Sequence, residues 1–223
     1  MKIGKTLLNL LYPRRATCVG CGDLLGCDRD DLCEECREEL AKNWVGPRMP
    51  APETGLDGAA YAYRYHGPAG AMVRSLKYTG VRVLVPTMCD ALADAVKLLR
   101  LENLYAVTSV PMPKSRLRRR GLDHAALLAQ GVADAIGAPY AGLLTRTRNA
   151  PQQARLSHEE RIRNLRGAFA ATENLKGKQV LLIDDVFTTG STAKYCAEAL
   201  RAAGAERVWY AAFALGEKGK KNG

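Results

Sequence analysis

Residues Val180 to Thr192 read VLLIDDVFTTGST, and the fold can be worked out from this stretch. The apolar run Val180-Leu181-Leu182-Ile183 suits a central parallel strand buried on both faces. Asp184 and Asp185 fall at its carboxyl end, where open α/β sheets place ligands. A loop of small residues then enters a helix whose first turn offers unpaired N–H groups to an anion. Gly190 permits a backbone bend with positive φ, and Thr188, Thr189, Ser191 and Thr192 add hydroxyl donors. Two acids beside a phosphate cradle would repel a bare nucleotide phosphate. They suit a sugar phosphate, whose hydroxyls donate to the carboxylates and help hold a divalent metal. The pattern G-x-x-x-x-G-K-[ST] is absent, so this is not a Walker loop. A strand end followed by a threonine-rich helix cap is the structural alternative.

The segment resembles the phosphoribosyl-diphosphate (PRPP) binding motif of type I phosphoribosyltransferases. That resemblance assigns Asp184, Asp185, Thr188, Thr189, Gly190, Ser191 and Thr192 to PRPP, with Mg²⁺ as its companion cation.

Outward from the loop, strand-like and helix-like patterns alternate from about residue 56 onward, as in a parallel sheet with crossover helices. AAYAYRY, LYAVTSV, LLTR, QVLLID and RVWYAAFAL read as strands. PAGAMVRSLKY, VLVPTMCDALADAVKLLR, DHAALLAQGVADAIG and TAKYCAEALRAAG read as helices. Tyr61, Tyr63 and Tyr65 share one face of the first strand, either packed against a helix or exposed as stacking rings.

Two basic stretches interrupt this order. The loop up to Gly121 carries Lys114 and Arg116, candidates for a diphosphate, and Arg118, Arg119 and Arg120, candidates for nucleic-acid phosphates. The polar stretch NAPQQARLSHEERIRNLRGAF adds Arg155, Arg161 and Arg163 to the DNA-binding candidates. It reads as a lid over the ligand or as a solvated helix beginning at Ser157. A solvated basic turn is the plain alternative for the first stretch. Of the three histidines, only His158 lies where a general acid or base would be useful.

Before the sheet lies a different composition. Residues 1–55 hold five of the seven cysteines and end in the proline-rich VGPRMPAPETG. Cys18-Val-Gly-Cys21 and Cys33-Glu-Glu-Cys36 form two C-x-x-C knuckles with the spacing of a tetrahedral, structural Zn²⁺ site. A segment this short buries too little to fold on its core alone, so a metal supplies the missing stability. Disulfides and a redox pair remain open as rival uses. Cys27 is an alternative ligand, whereas Cys89 and Cys196 fall on helical faces as packing residues. Two units are therefore expected, a zinc-binding module with an amphipathic first helix at 1–55 and the sheet domain at 56–223.

Formal charge is +10, from 33 basic and 23 acidic residues, which favours a polyanionic partner. No apolar run approaches the ~20 residues of a membrane span. The opening MKIGKTLLNLLYPRRATC lacks a small-residue cleavage site and reads as a helix, so a cytoplasmic location is expected.

Taken in order, the double C-x-x-C, YRYHG, RSLKYTG, SVPMPKSRLRRRGLDHAALLA, RTRNAPQQARLSHEERIRNLRGAF and LLIDDVFTTGST resemble the ComF family over nearly the whole chain. Leu122, Asp123 and His124 stand where that family usually has Phe-Asn-Gln, and Ala150 where it has Thr. The resemblance implies a type I phosphoribosyltransferase-like α/β domain carrying a small zinc module. It also implies a part in natural competence, the uptake of DNA as a single strand, with helicase or channel components of DNA uptake as partners. Two functions follow: PRPP binding joined to single-stranded DNA binding, or an active phosphoribosyltransferase that displaces diphosphate with a base or another nucleophile.

Overall fold

The computed structural model describes residues 17–25, 31–78, 83–147 and 165–216. The first helix, Cys27, His158, Arg155, Arg161 and Arg163 lie outside the described residues.

Five strands form the main sheet: β1 (Trp44–Arg48), β2 (Gly58–Arg64), β3 (Leu104–Ser109), β6 (Gln179–Phe187) and β7 (Arg207–Leu215). Their spatial order is β1-β2-β7-β6-β3. Every pairing is parallel except that of β1 with β2. A separate two-stranded ribbon joins β4 (Leu144–Arg146) to β5 (Phe169–Ala171). Beyond β3, Val107 donates to the Pro139 carbonyl and accepts from Ala141 N–H, so an irregular segment covers that edge.

The apolar run of β6 behaves as its composition requires. Leu181 and Ile183 face one core and Val180 and Leu182 the other, all fully buried. Helices α2 (Gly67–Tyr78), α3 (Leu84–Lys97) and α5 (His124–Ile136) pack against the first face. Helix α6 (Ser191–Ala202) and the β4–β5 ribbon pack against the second. β2 is buried from Gly58 to Ala62, and its alanines leave room for helices on both sides.

One expected loop is a helix. Residues Lys114–Arg120 form α4, entered from Pro113 and closed by Gly121 in the left-handed region (φ 67°). Lys, Arg and Leu are good helix formers, and arginines in the last turn complement the helix dipole. Charge density alone concealed that propensity.

The cysteine segment is packed onto the sheet domain. Helix α1 (Glu34–Lys42) lies against α2, and Cys18, Val19, Leu32, Cys36 and Leu40 share one apolar cluster with Met72, Val73 and Leu76 of α2.

Candidate functional site

β3 leads through α4 to α5 on one face, while its neighbour β6 leads to α6 on the other. Adjacent strands whose following helices diverge leave a crevice at their carboxyl ends, the usual ligand position in such sheets. A cavity of about 370 Å³ opens there, lined by Asp184, Asp185 and Thr192. The acid pair thus lies where the sequence places it. Thr188 and Thr189 are exposed in the turn, and Gly190 (φ 78°) is the N-cap of α6. Side chains are excluded at Gly190 on a second ground: a Cβ there would lie 2.8 Å from the Phe187 ring. Thr189 Oγ1 and Ser191 Oγ share a hydrogen bond of 2.9 Å across the turn.

Five cations face these two carboxylates around the crevice: Lys77, Arg116, Arg119, Arg120 and Arg146. Helical spacing sorts the basic stretch. Arg116, Arg119 and Arg120 fall three and four positions apart and line the crevice, whereas Lys114 and Arg118 are exposed and do not line it. Lys77 and Arg146 come from elements that sequence reading left without a role. Lys77 Nζ lies 2.8 Å from Asp185 Oδ1. Arg146 stands over the Phe169 ring at 5.1 Å, and Arg120 over the Tyr78 ring at 5.4 Å. Stacking on a ring holds a guanidinium in place while leaving its edge for an anion.

The cluster perturbs its own members. Desolvation, and then the Asp185 charge, push Asp184 up to about 7, although the Asp185 N–H (2.8 Å) and the Tyr210 hydroxyl (3.4 Å) donate to it. Desolvation and then Arg116 lower both Arg120 and Arg146. A polyanion bound in the crevice would favour the charged forms of these guanidiniums. His124 is almost wholly buried beside this cluster. Among the described residues neither ring nitrogen has a partner at hydrogen-bond geometry, and burial lowers its pKa although the Lys77 backbone opposes the shift.

The tyrosines of β2 do not share one face as the sequence suggests: Tyr61 belongs to the core under α6, whereas Tyr63 packs against the opposite core. Tyr61 packs edge-on to Phe187 (5.4 Å), and Tyr63 meets Trp44 and Phe213, each at 5.5 Å. Tyr65 lies past the end of the strand.

The second centre is the cysteine cluster. The sulfurs of Cys18, Cys21, Cys33 and Cys36 all lie within 4.8 Å of one another. Tetrahedral zinc with bonds of 2.3 Å requires sulfurs about 3.8 Å apart, and Cys21 and Cys33 are 3.7 Å apart. Gly20 and Cys33 N–H groups each donate to Cys18 Sγ at 3.3 Å. Burial opposes the Cys18 thiolate, but the backbone donors of Cys21, Cys33 and Gly20 together hold that thiol down at about 6. Burial and then the neighbouring sulfurs push Cys36 up. Sulfurs contending for protons in this way fit a dication. Gly20 is required by packing, since a Cβ there would sit 2.5 Å from Cys36 Sγ. Cys89 and Cys196 are buried packing residues away from this cluster.

Residues 122–222 match the phosphoribosyl transferase domain family. The chain is 32% identical over 149 residues to the DNA utilization protein YhgH of Salmonella typhimurium, a match spanning 65% of this chain and 66% of the relative. It is 27% identical over 213 residues to Competence protein F of Haemophilus influenzae, spanning 86% of this chain and 93% of that one. Among solved structures it is similar to the glutamine PRPP amidotransferase of B. subtilis, at 26% identity and a TM-score of 0.41, over 58% of this chain and 26% of the other. A phosphoribosyltransferase domain preceded by a four-cysteine cluster, with relatives of these names, places the chain in the ComF family.

Proposed function

We propose that the chain binds PRPP in the crevice at the carboxyl ends of β3 and β6 and takes part in DNA uptake, binding single-stranded DNA. The observation that carries this reading is the acid pair Asp184–Asp185 set among five cations at the switch point of the sheet. The 5′-phosphate would sit on the backbone amides of Thr188 to Thr192 at the α6 N-terminus. Asp184 and Asp185 would accept hydrogen bonds from the ribose hydroxyls. Arg116, Arg119, Arg120 and Arg146 would hold the diphosphate by charge-assisted hydrogen bonds. Mg²⁺, bound with PRPP near Asp184 and Asp185, would offset the diphosphate charge. The names of the relatives support the DNA-uptake role, and the exposed Lys114 and Arg118 are the α4 cations that point away from the crevice and can meet a strand. Titration of the protein with PRPP, with and without Mg²⁺, tests the reading.

A second reading has its own support in the guanidiniums drawn from two separate elements, α4 and β4. A leaving diphosphate gains charge as the C1′–O bond breaks and carries away that electron pair, and fixed cations stabilise it. The chain would then be a phosphoribosyltransferase, with a nucleophile forming the new bond at C1′. Release of diphosphate from PRPP in the presence of a panel of bases separates this reading from binding alone.

The cysteine cluster is read as a structural Zn²⁺ site, with Cys18, Cys21, Cys33 and Cys36 as ligands. Four thiolates would fill the positions of a tetrahedral ion, leaving none open for substrate.

A further inference from the structure

A second cavity, of about 350 Å³, lies against the other side of the turn that precedes α6, and apart from that turn none of its lining residues has a role above. Thr189, Gly190 and Ser191 line it, whereas Asp184, Asp185 and Thr192 line the crevice, so the turn separates the two spaces. Three rings, Tyr61, Phe187 and Tyr195, contribute to its wall. Arg48, from the end of β1, and Lys194, from the first turn of α6, contribute cations.

Tyr61 is only 2% exposed yet reaches this space. Among the described residues Glu53 is the one carboxylate lining the cavity, against two cations, of which Lys194 also lies 4.0 Å from Glu198. That balance suits an anion of low charge and disfavours a triphosphate. Rings take the flat face of a base, which stacks on them with little regard to its identity.

We propose that this cavity binds a nucleoside 5′-monophosphate unit, its base against Phe187 and Tyr195 and its phosphate at Arg48 and Lys194. The unit could be a free nucleotide or the 5′-phosphorylated end of a DNA strand, since the recognised chemistry is the same. The site shares the turn Thr189–Ser191 with the proposed PRPP phosphate position but uses none of the crevice residues Lys77, Asp184 or Asp185, so substitution of the acid pair separates the two.

The test is calorimetric titration of the full chain with dAMP and, separately, with a 5′-phosphorylated oligodeoxyadenylate. It is run on the wild type, Arg48→Gln/Lys194→Gln, Tyr195→Ala and Asp184→Asn/Asp185→Asn, each shown by its melting profile to be folded at the titration temperature. Arg48 and Lys194 are surface cations, so their double variant keeps the result readable if Tyr195→Ala fails to fold. Saturable binding by at least one probe is expected. It should weaken about tenfold or more in the Arg48/Lys194 variant and persist in the aspartate variant. Which probe binds tells the free nucleotide from the strand end. The proposal is overturned if neither probe binds, if the Arg48/Lys194 variant matches wild type, or if the aspartate variant alone abolishes binding. Inorganic phosphate competing as well as dAMP would overturn the base assignment. Loss of PRPP binding in the aspartate variant with dAMP binding intact would leave this proposal standing and bear only on the crevice.

Discussion

The Lys77 ammonium lies 2.8 Å from the Asp185 carboxylate, linking the end of α2 to the end of β6. Both side chains are largely buried, at 22% and 12% exposure, so neither charge is well served by water. A pair in such a place is costly to break from one side, because the survivor keeps its desolvation cost without a partner. Lys77→Met or Asp185→Asn alone should therefore each lower stability by about 1–3 kcal/mol. The double variant should lose less than the sum, with a coupling of roughly 0.5–3 kcal/mol. Urea denaturation of the four proteins measures it, and strict additivity would show that the ion pair contributes nothing.

Asp184 makes the apo protein sensitive to pH. Its folded pKa is raised to about 7 by desolvation and then by Asp185, above the ordinary value of 3.8. A raised carboxyl stabilises the fold while protonated, so its contribution is full below about pH 4 and is lost as pH rises toward 7. The loss is on the order of a few kcal/mol. Asp184→Asn should flatten this part of the stability curve. Chemical denaturation at pH 5, 6, 7 and 8 gives the comparison, and parallel curves for variant and wild type would contradict the assignment.

Zinc loss should reach the crevice. The cysteine segment packs on α2 through Cys18, Leu32, Cys36 and Leu40, and α2 ends at the Lys77 that meets Asp185. Cys33→Ser should lower bound zinc from one ion per chain to near zero and weaken PRPP binding several-fold. Metal content by atomic emission, paired with PRPP titration, tests both. A metal-free variant with wild-type PRPP affinity would show that the two centres are independent.

The two faces of the basic helix α4 predict a division of labour. Lys114→Gln/Arg118→Gln should weaken binding of single-stranded DNA while leaving PRPP affinity unchanged. The slope of log affinity against log salt should become shallower by up to about 1.4, at ~0.7 for each phosphate no longer neutralised. Arg119→Gln/Arg120→Gln should act chiefly on PRPP. Anisotropy across a salt series provides the slopes, and a reversed pattern would contradict the division.

The parts of this structure legible in sequence are those set by local pattern. The apolar run before Asp184 can only be an inner strand, and the glycine after Thr189 marks the turn before α6. The two C-x-x-C knuckles carry their geometry in their spacing. Lys77 and Arg146 were not legible, because each is placed by tertiary packing: α2 crossing to the end of β6, and the ribbon folding over the second face. The basic segment before Gly121 failed for another reason. Its charge invited a loop reading, although Lys, Arg and Leu between Pro113 and Gly121 favour one short helix. The tyrosines of β2 left two readings open, and only their neighbours Phe187, Trp44 and Phe213 decide for packing.

The central claim is that the crevice between β3 and β6 holds PRPP through its acid pair. Calorimetric titration with PRPP and Mg²⁺, on wild type and on Asp184→Asn/Asp185→Asn, tests it most directly. The account predicts saturable one-to-one binding to the wild type, strengthened by Mg²⁺, and at least a hundredfold weaker binding to a variant that remains folded. This corresponds to about 2.7 kcal/mol, the scale of two hydrogen bonds to charged groups. Equal affinity of wild type and folded variant, or no binding to either, would contradict it.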